Sequence, residues 1–375
     1  MKKLFAVALL SLGFASMAQA ETKLPQWIND VKLSGYVMTQ YQYSDQENAK
    51  ANSFSFNLRL GRIALEGRIQ QDWYWKVQLQ FNGNTSTLGN SPRVVDAFTE
   101  WQKYSFFKVK VGQFKRAFTF ENPMHPIDQG FFSYAQAINK LCYFSDRSGV
   151  KASNGRDIGV QVQGDFLPNA QKRDLLHYQI GVYNGQGINT KDADQQKDVI
   201  GGIWVMPVAG MRLGIFGSEG SYARKGNWTD ESGTHKGEVR KLPQHRYAFS
   251  AEYKACDWTF RSEYVHSTGK AFKVSESGGN GTTDCTVNEA IGSKADAYYA
   301  LVIAPVISKK LYAKARYDLY RQSAEWGSSR TQYEAGLNYL FNKNVQLNTE
   351  YMCVNDRNLD KPNYNMIDVQ LDFRF

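Results

Sequence analysis

The closing twelve residues, Tyr364 to Phe375, read YNMIDVQLDFRF, with Ile367, Val369, Leu371, Phe373 and Phe375 on one parity and Asp368, Gln370, Asp372 and Arg374 on the other. Period two is the side-chain repeat of a β-strand. A strand with one greasy and one wet face must cover the greasy one, and no helical pattern elsewhere in the chain offers a cover. In a bilayer the same strand needs none. Its apolar face meets acyl chains and its polar face lines a lumen. An unpaired backbone group there costs several kcal/mol, roughly, so the strand must find a first strand and close a barrel.

The remaining chain supplies partners. Strand-like alternation recurs at 31–43, 54–69, 73–82, 94–103, 106–116, 157–167, 175–184, 198–207, 211–222, 244–255, 257–266, 295–307, 311–321, 330–341 and 345–355. With the closing strand these make sixteen, an even number, as a bacterial single-chain barrel requires. In the third segment Trp73, Trp75, Val77, Leu79 and Phe81 alternate with Tyr74, Lys76, Gln78 and Gln80, and no charge falls on the apolar parity. The connections alternate long and short along the chain: 44–53 then 70–72, 83–93 then 104–105, 117–156 then 168–174, 223–243 then almost nothing at Cys256. Long loops outside and short turns at the periplasmic rim are how outer-membrane barrels are built. The fold class expected is therefore all-β, one transmembrane antiparallel barrel of about 16 strands over 21–375.

Met1 to Ala20 has Lys2 and Lys3, an apolar run from Leu4 to Met17 and an Ala18-Gln19-Ala20 end, the pattern of a secretory signal peptide. No later apolar run approaches the length of a membrane-spanning helix. The 22 Tyr, 22 Phe, 8 Trp and 31 Gly against 9 Pro suit strands and interfacial aromatic girdles. Net charge is +9 over the full chain. In an exported protein this points to an anionic surface such as lipopolysaccharide, or to an anion path, and away from nucleic acid. The four cysteines form no C-x-x-C and have no histidine at ligand spacing, so neither a metal nor any other cofactor is expected. Cys256 falls in a short turn and should be unable to pair with Cys142, Cys285 or Cys353, which sit in or near long loops.

The longest connection, 117–156, carries Phe118, Phe120, Phe131, Phe132, Tyr134, Ile138, Leu141, Tyr143 and Phe144, too much apolar surface for a solvated loop. It either caps the barrel mouth or folds into the lumen and narrows it. Flanking it, Val111-Gly112-Gln113-Phe114-Lys115 followed by Phe118 and Glu121 resembles the G-Q-F-K-x-P-F-x-x-E run of the phosphate-selective porin O and P family, with Ala117 where that family has Pro. Arg156-Asp157-Ile158-Gly159-Val160-Gln161 resembles its R-x-I-G-V-Q strand start, and Gly181 to Gly187 its G-V-Y-N-G-x-G hairpin end; Arg59-Leu60-Gly61-Arg62 is a looser match. The resemblance implies a sixteen-stranded barrel, a homotrimer and a third loop that folds inward to constrict the pore.

An anion path needs inward cations, and arginine suits bidentate contact with phosphate. By alternation Lys76, Lys108, Lys110, Arg212, Arg246, Arg261, Lys314 and Arg316 face the lumen. Lys115, Arg116, Lys140, Arg147 and Arg156 belong to the third loop or its ends. Arg59 and Arg62 lie in a strand whose apolar phase slips between Leu60 and Ile63, so alternation assigns them no face. Inward acids are of similar number: Asp157, Asp165, Glu252, Glu263, Asp318, Glu334, Glu350 and Asp372. The expectation is a passive pore for small hydrophilic solutes, anions and phosphate among them, with Arg116, Arg147 and Arg316 among its selective cations. The alternatives are an adhesive barrel with a plugged lumen and an enzyme. Ser153-Asn154-Gly155-Arg156 matches the S-N-G-R of outer-membrane phospholipases, but Lys151 stands where their general-base histidine would be, and a serine without its base is a weak nucleophile.

Overall fold

The computed structural model describes residues 28–47, 54–81, 92–116, 118–144, 147, 153–192, 194–273 and 284–375. The leader 1–20, Ala117, Lys151 and the glycine-rich 278–281 lie outside the described residues. Sixteen antiparallel strands close into one barrel. In chain order they are β1 (Ile28–Ser44), β2 (Phe54–Ile69), β3 (Trp73–Gln80), β4 (Arg93–Tyr104), β5 (Phe107–Lys115), β6 (Arg156–Pro168), β7 (Asp174–Tyr183) and β8 (Asp198–Val205). They continue as β9 (Met211–Asp230), β10 (Gly233–Ala255), β11 (Trp258–Thr268), β12 (Lys294–Ile307), β13 (Leu311–Arg321), β14 (Ser329–Leu340), β15 (Val345–Asp356) and β16 (Asn363–Arg374). A helix α1 (Gln136–Leu141) sits in the long segment between β5 and β6.

The closing strand behaves as its alternation requires. β16 pairs β15 on one edge and β1 on the other, in register from Tyr36 opposite Arg374 to Ser44 opposite Met366. Gly35 and Phe375 exchange backbone hydrogen bonds of 3.0 Å at the seam. Ile367, Leu371 and Phe373 are exposed outward, whereas Asp368, Gln370 and Asp372 are buried on the inner side. Outward aromatics gather at both rims, with Trp73, Tyr104, Phe106 and Trp258 toward the short turns and Tyr43, Phe54, Tyr298 and Tyr333 toward the long loops. These are the two membrane interfaces, where amphipathic rings belong. At the tightest turn, Cys256 and Asp257 have φ of 50° and 66°, the two left-handed residues of a type I′ hairpin.

One sequence expectation is corrected. Residues 223–243 are not a free loop: β9 and β10 run on as a paired hairpin to Asp230 opposite Gly233. Its outward positions Lys225 and Asn227 are polar, so apolar alternation stops although hydrogen bonding does not. The extension gives a wall for the connection after β11, and Tyr222, Leu242, Phe272, Cys285, Val287 and Ile291 form a second apolar cluster there. Cys353 lies near the end of β15, exposed on the outer face. All four cysteines are free thiols. Burial pushes the Cys142 thiol well up.

The phase slip in β2 is a β-bulge. Met38 pairs Leu60 and Thr39 pairs Leu58, so Arg59 is the extra residue. One inserted residue inverts the facing of everything beyond it. Arg59 and Arg62, of opposite parity, therefore both reach inward, to Gln370 at 2.8 Å and Gln80 at 3.0 Å.

Gly112 of β5 has φ of 131°, and a Cβ there would lie 2.3 Å from the Ala97 carbonyl oxygen and 2.7 Å from the Phe98 Cα. Replacing it with valine is expected to destabilise the barrel by about 2 to 4 kcal/mol, combining backbone strain with overpacking. Urea-driven unfolding from lipid vesicles, followed by tryptophan fluorescence, measures the loss.

Candidate functional site

The described residues 118–144 of the connection between β5 and β6 lie inside the barrel against the inner faces of β8 to β16. Phe118 and Phe120 pack edge-on against Phe216, and Phe120 also against Trp204. α1 packs over β11, β12 and β13. Phe118, Phe120, Phe131, Ile138 and Leu141 are almost wholly buried, which disposes of the apolar surface that no solvated loop could carry.

Apolar contact does not satisfy a backbone, and here the inward charges of the wall do it. The Glu263 carboxylate accepts from the amides of Phe120 at 2.6 Å and Glu121 at 3.1 Å. Glu350 accepts from the Phe132 amide at 2.7 Å and Asp318 from the Gln136 amide at 2.8 Å. The cations take the carbonyls: Arg261 donates to Gln129 at 3.1 Å, Lys314 to Gly130 at 2.9 Å, Arg316 to Ser133 at 2.9 Å and Arg246 to Leu141 at 2.9 Å. The same cations pair with wall carboxylates, Lys314 with Glu350 and Arg316 with Glu334. Lys314 and Arg316 thus each have a carboxylate partner on the wall and a carbonyl on the segment.

This arrangement corrects the role expected for several residues. Arg116 is bonded to Asp157 at 2.7 Å, and its guanidinium stacks 4.2 Å from the Tyr143 ring centre. Arg147 donates to the carbonyls of Gly269, Ile291, Lys294 and Gln322, tying the segment to two neighbouring loops. Arg116, Arg147, Lys314 and Arg316 are each no more than 4% exposed. They hold the segment and do not line an open path. Arg212 pairs with Glu252 at 2.9 Å and lies over Phe120, while Lys140 is half-buried at the end of α1. Ser153 is also structural: buried, its hydroxyl donates to the Tyr143 carbonyl. Alternation placed Arg212, Lys314 and Arg316 on the inner face, but it carries no information about which of them the segment covers.

The other side of the lumen stays open. Between Pro123–Pro126 of the segment and the inner faces of β2 to β6 lies a cavity of about 200 Å³. Arg62, Lys76, Lys110, Lys115 and Arg156 line it, with Asp96 as the sole carboxylate among its lining residues. Lys115 donates to the carbonyls of Asn122 and Met124 at 2.8 and 2.6 Å and to the Tyr134 hydroxyl at 2.9 Å, fixing the first bend of the segment. Arg156 grips Asp96 with two bonds of 2.7 and 2.9 Å. Lys76 and Lys110 are more loosely paired, 3.3 Å from Glu66 and 3.6 Å from Glu100. His125 records the local field. Burial first, then Lys76, Lys115 and Arg62, push its imidazole down to about 3, so it is neutral at pH 7. Of the fifteen cations singled out in the sequence as path candidates, the structure gathers Arg62, Lys76, Lys110, Lys115 and Arg156 at this gap. Arg59 stands apart, on the β1–β16 side.

Sequence reasoning missed Asp96, Tyr74, Phe98 and His125. Asp96 is hidden by a register shift that leaves Val95 as an extra residue. Phe98 had a readable signal, an apolar residue at an inward position between Asp96 and Glu100. Among the described residues no group of three His, Cys, Asp or Glu side chains could hold a metal ion.

Comparison with known proteins agrees with this architecture. The family model for Gram-negative porins matches residues 6–359. An anion-selective porin from Comamonas acidovorans superposes with a TM-score of 0.62 at 14% identity, covering 92% of this chain and 100% of that one. The outer membrane channel DcaP of Acinetobacter baumannii gives 0.60 at 12% identity, with 94% and 99% covered. OmpF of Salmonella typhi, in complex with daunomycin, gives 0.60 at 14%, with 94% and 99% covered. At such identities the likeness is one of fold. No curated protein matches the chain.

Replacing Arg316 with methionine leaves Glu334 buried without its partner and removes a bond to the segment, an expected cost of about 3 to 5 kcal/mol. Adding Glu334→Leu should recover most of it. Urea unfolding in vesicles tests both, and a double variant no more stable than the single one would show that the pair is not the source of the loss.

Proposed function

This chain belongs to the Gram-negative porin family and resides in the outer membrane, and from that premise we propose that it is a passive diffusion pore that favours small anions. The observation that carries the reading is the lining of the gap beside the inserted segment, five cations to one carboxylate. A solute crossing the barrel passes between Pro123–Pro126 and β2–β6, where the segment constricts the lumen. There an anion gains attraction from Lys76 and Lys110, and a cation meets repulsion, in walls of low dielectric that focus the field. Inorganic phosphate fits the same lining, where the Arg62 guanidinium keeps a buried Nη2 without a hydrogen-bond partner near the half-buried Lys76 and Lys110. No bond is made or broken in this passage. The serine of the lipase-like tetrapeptide, Ser153, donates its hydroxyl to a backbone carbonyl.

The protein assembles as a homotrimer in contact with lipid and lipopolysaccharide, a reading supported by the trimer form of the related OmpT of Vibrio cholerae, which superposes at a TM-score of 0.54. Crosslinking in mild detergent should give a trimer ladder; a ladder that stops at one chain would overturn the assembly while leaving the pore.

Planar-bilayer recording in a KCl gradient should show stepwise conductance with a reversal potential on the anion side. Glu at both Lys76 and Lys110 should lower the anion-to-cation permeability ratio by about 3-fold or more, since reversing a charge a few ångströms from the path changes the ion's energy by about 1 kcal/mol after screening. Cation selectivity in the unaltered protein would remove the anion preference, and no conductance at all would mean a plugged barrel.

A further inference from the structure

The gap is not lined by charge alone. In a wet lumen the inward parity of a strand should be polar, yet β4 and β5 place Phe98 and Phe114 there, and β3 places Tyr74. Phe114 is accounted for: it is buried and packs edge-on against Tyr183. Phe98 is not. Phe98 stands opposite Gly112 in the register, and its ring has Phe114 and Tyr74 each at 5.9 Å. Even so it stays half-exposed, and it lines the cavity. A ring that served only to pack against its neighbours would not need to line the passage.

Directly beside that ring stands a cation. The Lys110 ammonium is 5.2 Å from the Phe98 ring centre, and its carboxylate partner Glu100 is distant, at 3.6 Å. Lys76 is similarly placed, 3.3 Å from Glu66. On the facing side the segment contributes Pro123, Met124 and Pro126, flat or polarisable apolar groups that pack against aromatic rings. A bare inorganic anion uses none of this apolar surface. An anion carrying a planar ring uses both parts, its carboxylate on the ammonium of Lys110 or Lys76 and its ring between Phe98 and the Pro123–Met124 bend.

Resting on the pore reading above, we infer that this gap is a binding subsite for aromatic carboxylates, which the pore takes up in preference to aliphatic ones of similar charge. Phe98 and Tyr74 supply the ring contact and Lys110 and Lys76 the charge. The cavity's size, about 200 Å³, admits a single six-membered ring with its carboxylate.

The test is block of chloride current through the full-length protein in planar bilayers by three sodium salts: benzoate, cyclohexanecarboxylate and acetate. Benzoate should reduce the current saturably and at a lower concentration than either of the others. Phe98→Leu, close in volume and so compatible with folding, should raise the half-blocking concentration of benzoate by roughly 3- to 10-fold, the range expected for losing one aromatic contact. It should do much less to that of acetate. Phe249→Leu, on the lipid face, serves as the control for folding and insertion. Equal block by all three salts, or a benzoate block untouched by both Phe98→Leu and Tyr74→Leu, would overturn the inference. An anion-selective current that benzoate does not block would overturn it alone, whereas absence of any current would take the pore reading with it.

Discussion

A peptide group removed from water must find a partner, and that requirement shapes this protein twice. Between strands it forces the sheet to close, because an open edge in hydrocarbon would leave a row of unpaired amides and carbonyls. The seam between Gly35 and Phe375 and the full register of β1 with β16 answer it. Inside the barrel the same requirement applies to the connection between β5 and β6, whose own backbone hydrogen bonds are few and local. Among its described residues the helix covers only Gln136–Leu141. The wall therefore supplies acceptors to its amides and donors to its carbonyls.

Charged side chains are suited to this service. A neutral hydroxyl can offer a bond, but a carboxylate accepting from two amides, as Glu263 does for Phe120 and Glu121, makes charge-assisted bonds about twice as strong. The desolvation cost of burying such charges is offset only when each is paired and its remaining positions are used. Lys314 meets both conditions with Glu350 and the Gly130 carbonyl, and Arg316 with Glu334 and the Ser133 carbonyl. Removing one member of such a set leaves its partner stranded, so the sets are brittle individually and rigid together. A segment fixed in this way keeps a constant distance from the opposite wall, a condition for a passage of defined width.

The barrel was legible in the sequence because its two physical demands, alternation along strands and parity among loops, are both local. YNMIDVQLDFRF and the other alternating runs locate every strand, and the errors fall where a demand lapses. Above the membrane the outward positions of β9 and β10 need not be apolar, and the hairpin from 223 to 243 went unread. At bulges the parity inverts, and Arg59, Arg62 and Asp96 lost their assignment. The candidate site was legible only in part. Alternation says that Lys76 and Lys314 both face inward, but one meets a cavity and the other a folded segment. That difference depends on where a long connection comes to rest, a matter of tertiary packing that no period encodes.

The same point governs the electrostatics. Counted over the strands, inward acids and bases nearly balance, and a balanced lumen would be indifferent to the sign of a solute. Position breaks the balance. On the β10–β15 side, acids and bases are consumed in pairs by the inserted segment, and neutralised pairs at contact distance project little field beyond their own shell. On the β2–β6 side, cations outnumber carboxylates among the residues that meet the remaining space. A pore's selectivity follows the charges its solute passes, not the charges its sequence contains. Here the segment packed against the β10–β15 wall also decides which of the wall's charges remain to be felt.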